Sequence, residues 1–129
     1  LKSEIITHTR IKYLAKTAGY KNKGEDHISR LGLGLSLRKG SINMDWRPKT
    51  SENEKGTIQK TGKTIKGSTL FKSEAQLILF NAALFQIQTP NSYEELRAMW
   101  ITHWERGIEE LMQLTKTNDW IDTMSNLQI

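Results

Sequence analysis

The chain has 129 residues, no cysteine, a net charge of +5 and 36% hydrophobic residues. That length suits one domain around one core, and the missing cysteine excludes disulfides, thiolate nucleophiles and zinc–cysteine centres. No apolar run approaches the roughly 18 residues of a membrane-spanning helix and no signal-peptide pattern is visible, so the reading is a cytoplasmic protein that does not enter the membrane.

The charge is unevenly spread. Residues 1–72 hold 16 of the 19 Lys and Arg but 6 of the 14 Asp and Glu, whereas residues 73–129 hold 3 and 8. Such polarity offers a basic surface to a polyanion and an acidic one to a protein, against the plainer reading of an ordinary solvated face.

In chain order, Ser3–Thr7 reads as a brief strand or a frayed start. From Thr9, the apolar positions Ile11, Leu14, Ala15 and Ala18 follow helical spacing, with Arg10, Lys12 and Lys16 off the stripe and Gly19 as the stop. Lys21 and Lys23 occupy a turn. A second helix is predicted from Glu25 or Asp26, whose carboxylates suit the positive end of a helix, to Gly40. It carries Gly32 and Gly34 in its interior at about 1 kcal/mol each relative to alanine, which suggests close packing or an oligomer contact there. The alternation of leucine with small residues over 31–37 also fits a strand, but Ile28, Leu31 and Leu35 and the Arg38-Lys39-Gly40 ending favour the helix.

Residues 41–70 form a polar, glycine-punctuated basic loop in which 57–60 and 63–66 suit a small hairpin. Ser73 and Gln76 make a capping-box pattern that opens a third helix, apolar nearly all round. That composition predicts a central position or a subunit contact. Ser92 and Glu95 open the longest helix, with Leu96, Trp100, Trp104, Ile108 and Leu111 on one stripe and Arg97, Glu105, Glu109 and Lys116 assigned to the other side. Residues 115–129 read as an extension, either a short helix capped by Asn118 and Asp119 or a tail. The expected fold is one mainly α domain over 1–129, with four to five helices: a helical pair in 1–40, the loop, and long helices in 71–114. A ribbon-helix-helix arrangement is an alternative for the first part.

Chemistry-bearing motifs are few. Gly62-Lys63-Thr64 lacks P-loop spacing, since Gly56 leaves five intervening residues instead of four, and no apolar strand precedes it. His8, His27 and His103 have no ligand spacing, and Glu105, Glu109 and Glu110 read as a solvated acidic face or a dock for a basic partner. The expectation is a non-enzymatic chain with no cofactor and no metal. The constellation that remains is Lys21, Lys23, Lys49, Lys55, Lys60, Lys63 and Lys66, flexible cations on loops, which suit the DNA backbone more than base reading.

Three stretches together resemble the DNA sulfur modification protein DndE family: RLGLGLSLRKG at 30–40, GKTIKGSTLFKSEAQLILFNAALF at 62–85, and HWERGIEEL at 103–111 with its His-x-x-Arg-Gly pattern. The resemblance covers residues 7–114 and rests on order and spacing. It implies a small helical accessory protein, a homotetramer, that binds DNA at nicks beside the other subunits of a bacterial phosphorothioation system, which replaces a non-bridging phosphate oxygen with sulfur. A ribbon-helix-helix regulator and a protein-only scaffold are the alternatives.

Overall fold

The computed structural model describes residues 1–20, 24–51, 53–117 and 119–120. Among them are five helices: α1 (Ile5–Thr17), α2 (Glu25–Lys39), α3 (Gly67–Leu70), α4 (Glu74–Ile87) and α5 (Tyr93–Thr117). Among the described residues no β-ladder forms beyond one isolated antiparallel bridge, Lys2 to Thr64, so the fold is mainly α. Helix α5 has 25 residues and is about 38 Å long at 1.5 Å per residue. The Ser92 side chain opens it by accepting from Glu95 N at 3.1 Å. Its apolar stripe, Met99, Trp100, Trp104, Ile108, Leu111 and Met112, is buried and forms one wall of the core. Helix α2 supplies the facing wall with Ile28, Leu33 and Leu37, and α1 crosses the pair with Ile11, Leu14 and Ala15.

Two glycines set how closely α2 and α5 meet. A Cβ built on Gly107 would lie 1.6 Å from Gly32 O, and one on Gly32 would lie 2.9 Å from the Ile108 side chain. The backbones touch here, within one chain. Gly34 has nothing within 4 Å of its would-be Cβ, so the two interior glycines of α2 differ in kind.

The neighbours of Gly107 on α5 bind the ends of other helices. The Arg106 guanidinium donates to the carbonyls of Ser36 and Gly40, both at 2.6 Å, and of Ser41 at 3.2 Å, completing the C-terminus of α2 with a cation. The Glu105 carboxylate accepts from Glu4 N at 3.0 Å and Thr7 Oγ1 at 2.8 Å, completing the N-terminus of α1. Helix α1 therefore starts at Ile5, four residues before the apolar periodicity begins at Thr9, because its cap comes from the far end of the sequence.

The 41–66 segment departs from the expected hairpin. Residues 63–65 pair with Leu1–Ser3 instead: Ser3 N donates to Lys63 O and Ile65 N to Leu1 O, both at 2.9 Å. The buried Arg10 then ties the loop down through both carboxylate oxygens of Glu54, the carbonyl of Lys49 at 2.6 Å, and Glu109 at 3.3 Å. Helix α4 is not central. Of its residues only Leu84 is buried, while Ile78 and Leu79 are 66% and 68% exposed. The expected cap on Asn118 and most of the extension lie outside the described residues. Trp120 is described, and its Nε1 donates to Thr17 Oγ1 at 3.0 Å.

The two kinds of glycine give opposite expectations. Gly34→Ala removes backbone freedom from the unfolded chain without meeting a neighbour and should stabilise by about 1 kcal/mol. Gly107→Ala must force two backbones apart and should cost about 3 kcal/mol or more. Urea denaturation of both variants checks this; equal shifts would show that the helices do not touch there.

Candidate nucleic-acid interface

The loop lysines do not form one patch. Lys63 and Lys66 line a groove at the N-terminus of α2, together with His27, Lys72, Glu25 and Asp26, with a volume of about 610 Å³. Lys49 lines a different groove with Lys39, Arg106 and Lys116 on the side of α5. Lys55 and Lys60 are exposed and line neither of these grooves. Lys21 and Lys23 lie outside the described residues. Of the two glycines singled out with them, Gly32 packs on α5 and Gly34 faces open space.

The charges around α2 are partly spent on one another. Glu25 draws two lysines, Lys63 at 3.1 Å and Lys12 at 3.5 Å, and has the His8 ring at 3.8 Å. Asp26 draws Arg30 at 3.3 Å and Lys72 at 3.8 Å. The Asp26 pKa is lowered: burial pushes it up, and the neighbouring charges of His27, Arg30 and Lys72, with a backbone hydrogen bond, outweigh that. Lys66 on this groove, and Lys55 and Lys60 outside it, have no ion pair among the described residues, which leaves them the more available cations of the loop. Lys72 was missed by the sequence reading. Its signal was its position next to the Ser73 cap, where the backbone turns and a side chain can reach back to α2.

Arg10 sits on the first-helix face with Lys12 and Lys16 by sequence, but it is buried and engaged with the loop. Lys12 and Lys16 are the exposed cations of that face.

The acidic face on α5 is also used internally. Glu105 is buried rather than solvated, and burial raises its pKa against the lowering effect of the Glu4 and Thr7 hydrogen bonds. Glu109 accepts from Arg10 and from Lys49 N at 2.9 Å, and Glu110 pairs with Lys39 at 2.7 Å. These carboxylates hold the chain together before they can meet a partner.

The fold also creates a serine–histidine pair that spacing did not reveal. Ser36 Oγ lies 2.8 Å from His103 Nδ1 and accepts from Arg106 Nε at 2.8 Å. Both Ser36 and His103 are 0% exposed, so no substrate reaches them in this conformation. The pair bolts α2 to α5. Among the described residues, no group of three or more His, Asp or Glu is placed to hold a metal ion. Nor is any helix there long and apolar enough to cross a membrane.

Burial, assisted by the charge of Arg106, lowers the His103 pKa from 6.5 to about 4. The unfolded chain takes up a proton in that window and the folded chain does not. Stability present above pH 6.5 is therefore lost as the pH falls toward 4, by about 3 kcal/mol at the end of the window. Glu105 works the other way, since its raised pKa favours the folded state at acid pH. Replacing His103 with Gln should flatten the fall in melting temperature between pH 7 and pH 4.5; parallel curves for the two proteins would assign the acid sensitivity elsewhere.

No family model matches this chain, and no curated protein or solved structure matches it at a significant level.

Proposed function

We propose that this chain is a non-catalytic, DNA-binding accessory subunit of a bacterial DNA phosphorothioation system, working as an oligomer on the phosphate backbone. The observation that carries the binding part is the gathering of Lys63, Lys66 and Lys72 around the N-terminus of α2, with the exposed Lys55 and Lys60 on the same loop. Lysines on loops neutralise phosphates without reading bases. Assignment to the sulfur system rests on the resemblance in residues 30–40, 62–85 and 103–111. Against a ribbon-helix-helix regulator, one edge of the Leu1–Ser3 stretch is already paired with 63–65. Against a scaffold docking through its acidic half, Glu105, Glu109 and Glu110 are engaged within the chain.

The oligomer is supported by α4. Ile78, Leu79 and Phe85 are 66%, 68% and 46% exposed on a helix whose charged residue is Glu74 alone. Large apolar patches of this kind mark interfaces. Ala75, Leu79, Ala82 and Gln86 are all exposed and fall on one side of the helix by their spacing. An antiparallel pair of α4 helices about a two-fold axis near residues 80 and 81 would set Leu79 of each copy opposite Ala82 of the other, large against small. Ile78 and Phe85 of both copies would then share one flank.

Two outcomes are expected. Changing Lys60 and Lys66 to Ala should weaken binding to every duplex alike, lowering the log–log salt slope by about 0.9 for each lysine that contacts a phosphate. Fluorescence anisotropy at several salt concentrations measures it, and an unchanged slope would move the phosphate contacts to Lys12 and Lys16. Changing the exposed Leu79 to Glu should leave helix content intact while reducing the molecular mass in light scattering. A mass of 14.8 kDa for the unchanged protein would remove the oligomer from the proposal.

A further inference from the structure

Helix α1 ends in a turn that fixes an aromatic ring. Gly19, at φ +94°, lets its own N–H reach Lys16 O at 3.1 Å and the next N–H, of Tyr20, reach Ala15 O at 3.0 Å. This is the Schellman pattern, which needs a residue able to take a left-handed backbone where Gly19 stands. The Tyr20 ring rests against Gly24, where a Cβ would lie 2.3 Å from its Cγ, and stacks beside His27 with ring centres 5.7 Å apart and planes 21° apart. Although held on those sides, Tyr20 is 41% exposed. It borders a groove of about 900 Å³ with a floor that includes Ala15 and Gly56 and a rim that includes Lys12, Lys16 and Gln59.

The chemistry of this groove differs from that of the lysine loop. A ring held by a backbone turn offers a flat apolar face at little entropic cost, and Lys12 and Lys16 stand one helical turn apart beside it. Glu25 also lines the groove, but its carboxylate is taken up by Lys63 at 3.1 Å and Lys12 at 3.5 Å. A flat π face beside two adjacent cations matches a nucleobase with its flanking phosphates. In duplex DNA the base faces are stacked and closed, so the ligand must present an unpaired base. We infer that this groove takes an unpaired nucleobase of single-stranded DNA, stacked on Tyr20, with Lys12 and Lys16 on the neighbouring phosphates. The inference rests on the DNA-binding reading above and adds to it a second groove, which meets the first at Glu25.

The test uses the full chain, an oligo-dT single strand, an intact duplex, and a single strand carrying one 2-aminopurine. Tyr20→Ala should weaken single-strand binding about tenfold, the scale of one lost base stack, while leaving intact duplex binding unchanged. Tyr20→Phe should retain both. Binding of the unmodified protein should quench the 2-aminopurine, a readout that does not depend on how any variant folds. Equal single-strand affinity for Tyr20→Ala and the unmodified protein, or an absence of quenching in the bound complex, overturns the inference. If the unmodified protein binds duplex but not the single strand, the inference fails and the backbone reading stands. Should it bind neither, both fall.

Discussion

The contact between Gly32 and Gly107 is the constraint on which the rest of the fold depends. Only where neither helix carries a Cβ can α2 and α5 approach until backbone meets backbone. That approach brings Ser36 to His103 and Arg106, and it presents the carbonyl end of α2 to the same guanidinium. Glu105, one residue away, reaches the opposite side and completes α1. Five consecutive positions, 103–107, thus hold three helices together. Widening the helix pair by the thickness of a methyl group would loosen the buried polar contacts all at once, since each relies on the same separation.

Arg10 extends this order into the loop. A buried guanidinium with two carboxylates and a carbonyl as partners gives Lys49 and Glu54 fixed points on α1 and α5. The pairing of 63–65 with the N-terminus supplies another. Lysines between such anchors present their charge from defined positions rather than on a free arm. The cost is that some cations serve the fold: Lys63 and Lys12 spend part of their charge on Glu25.

What was legible in the sequence was what is local. The ends of α2 at Glu25 and Gly40 followed from first-turn acids and a glycine stop, and Ser73 and Ser92 accept from the third residue of their helices as capping chemistry requires. What was not legible depended on residues distant in sequence. The start of α1 comes from Glu105, the pairing of 63–65 from Leu1–Ser3, and the burial of Glu105 from its position over the α1 terminus. Periodicity marked α4 as apolar all round but could not say which side the monomer would cover. The lysine cluster was visible as composition, while its division between two grooves was a property of the path of the loop. Tyr20 was the subtler omission. Its aromatic ring and the lysines of α1 are close in sequence, but the exposed ring face arises from the turn at Gly19 and the packing on Gly24.

The His-x-x-Arg-Gly pattern gains a physical meaning from this. His103, Arg106 and Gly107 all act in docking α2 on α5. The pattern therefore reads as a signature of a helix-pair geometry. Function, by contrast, must be argued from residues the docking does not constrain: the exposed lysines of the loop, the apolar outer side of α4 and the ring of Tyr20. None of these lies between α2 and α5. A variant at such a position that keeps its helix content therefore separates a loss of contact from a loss of structure.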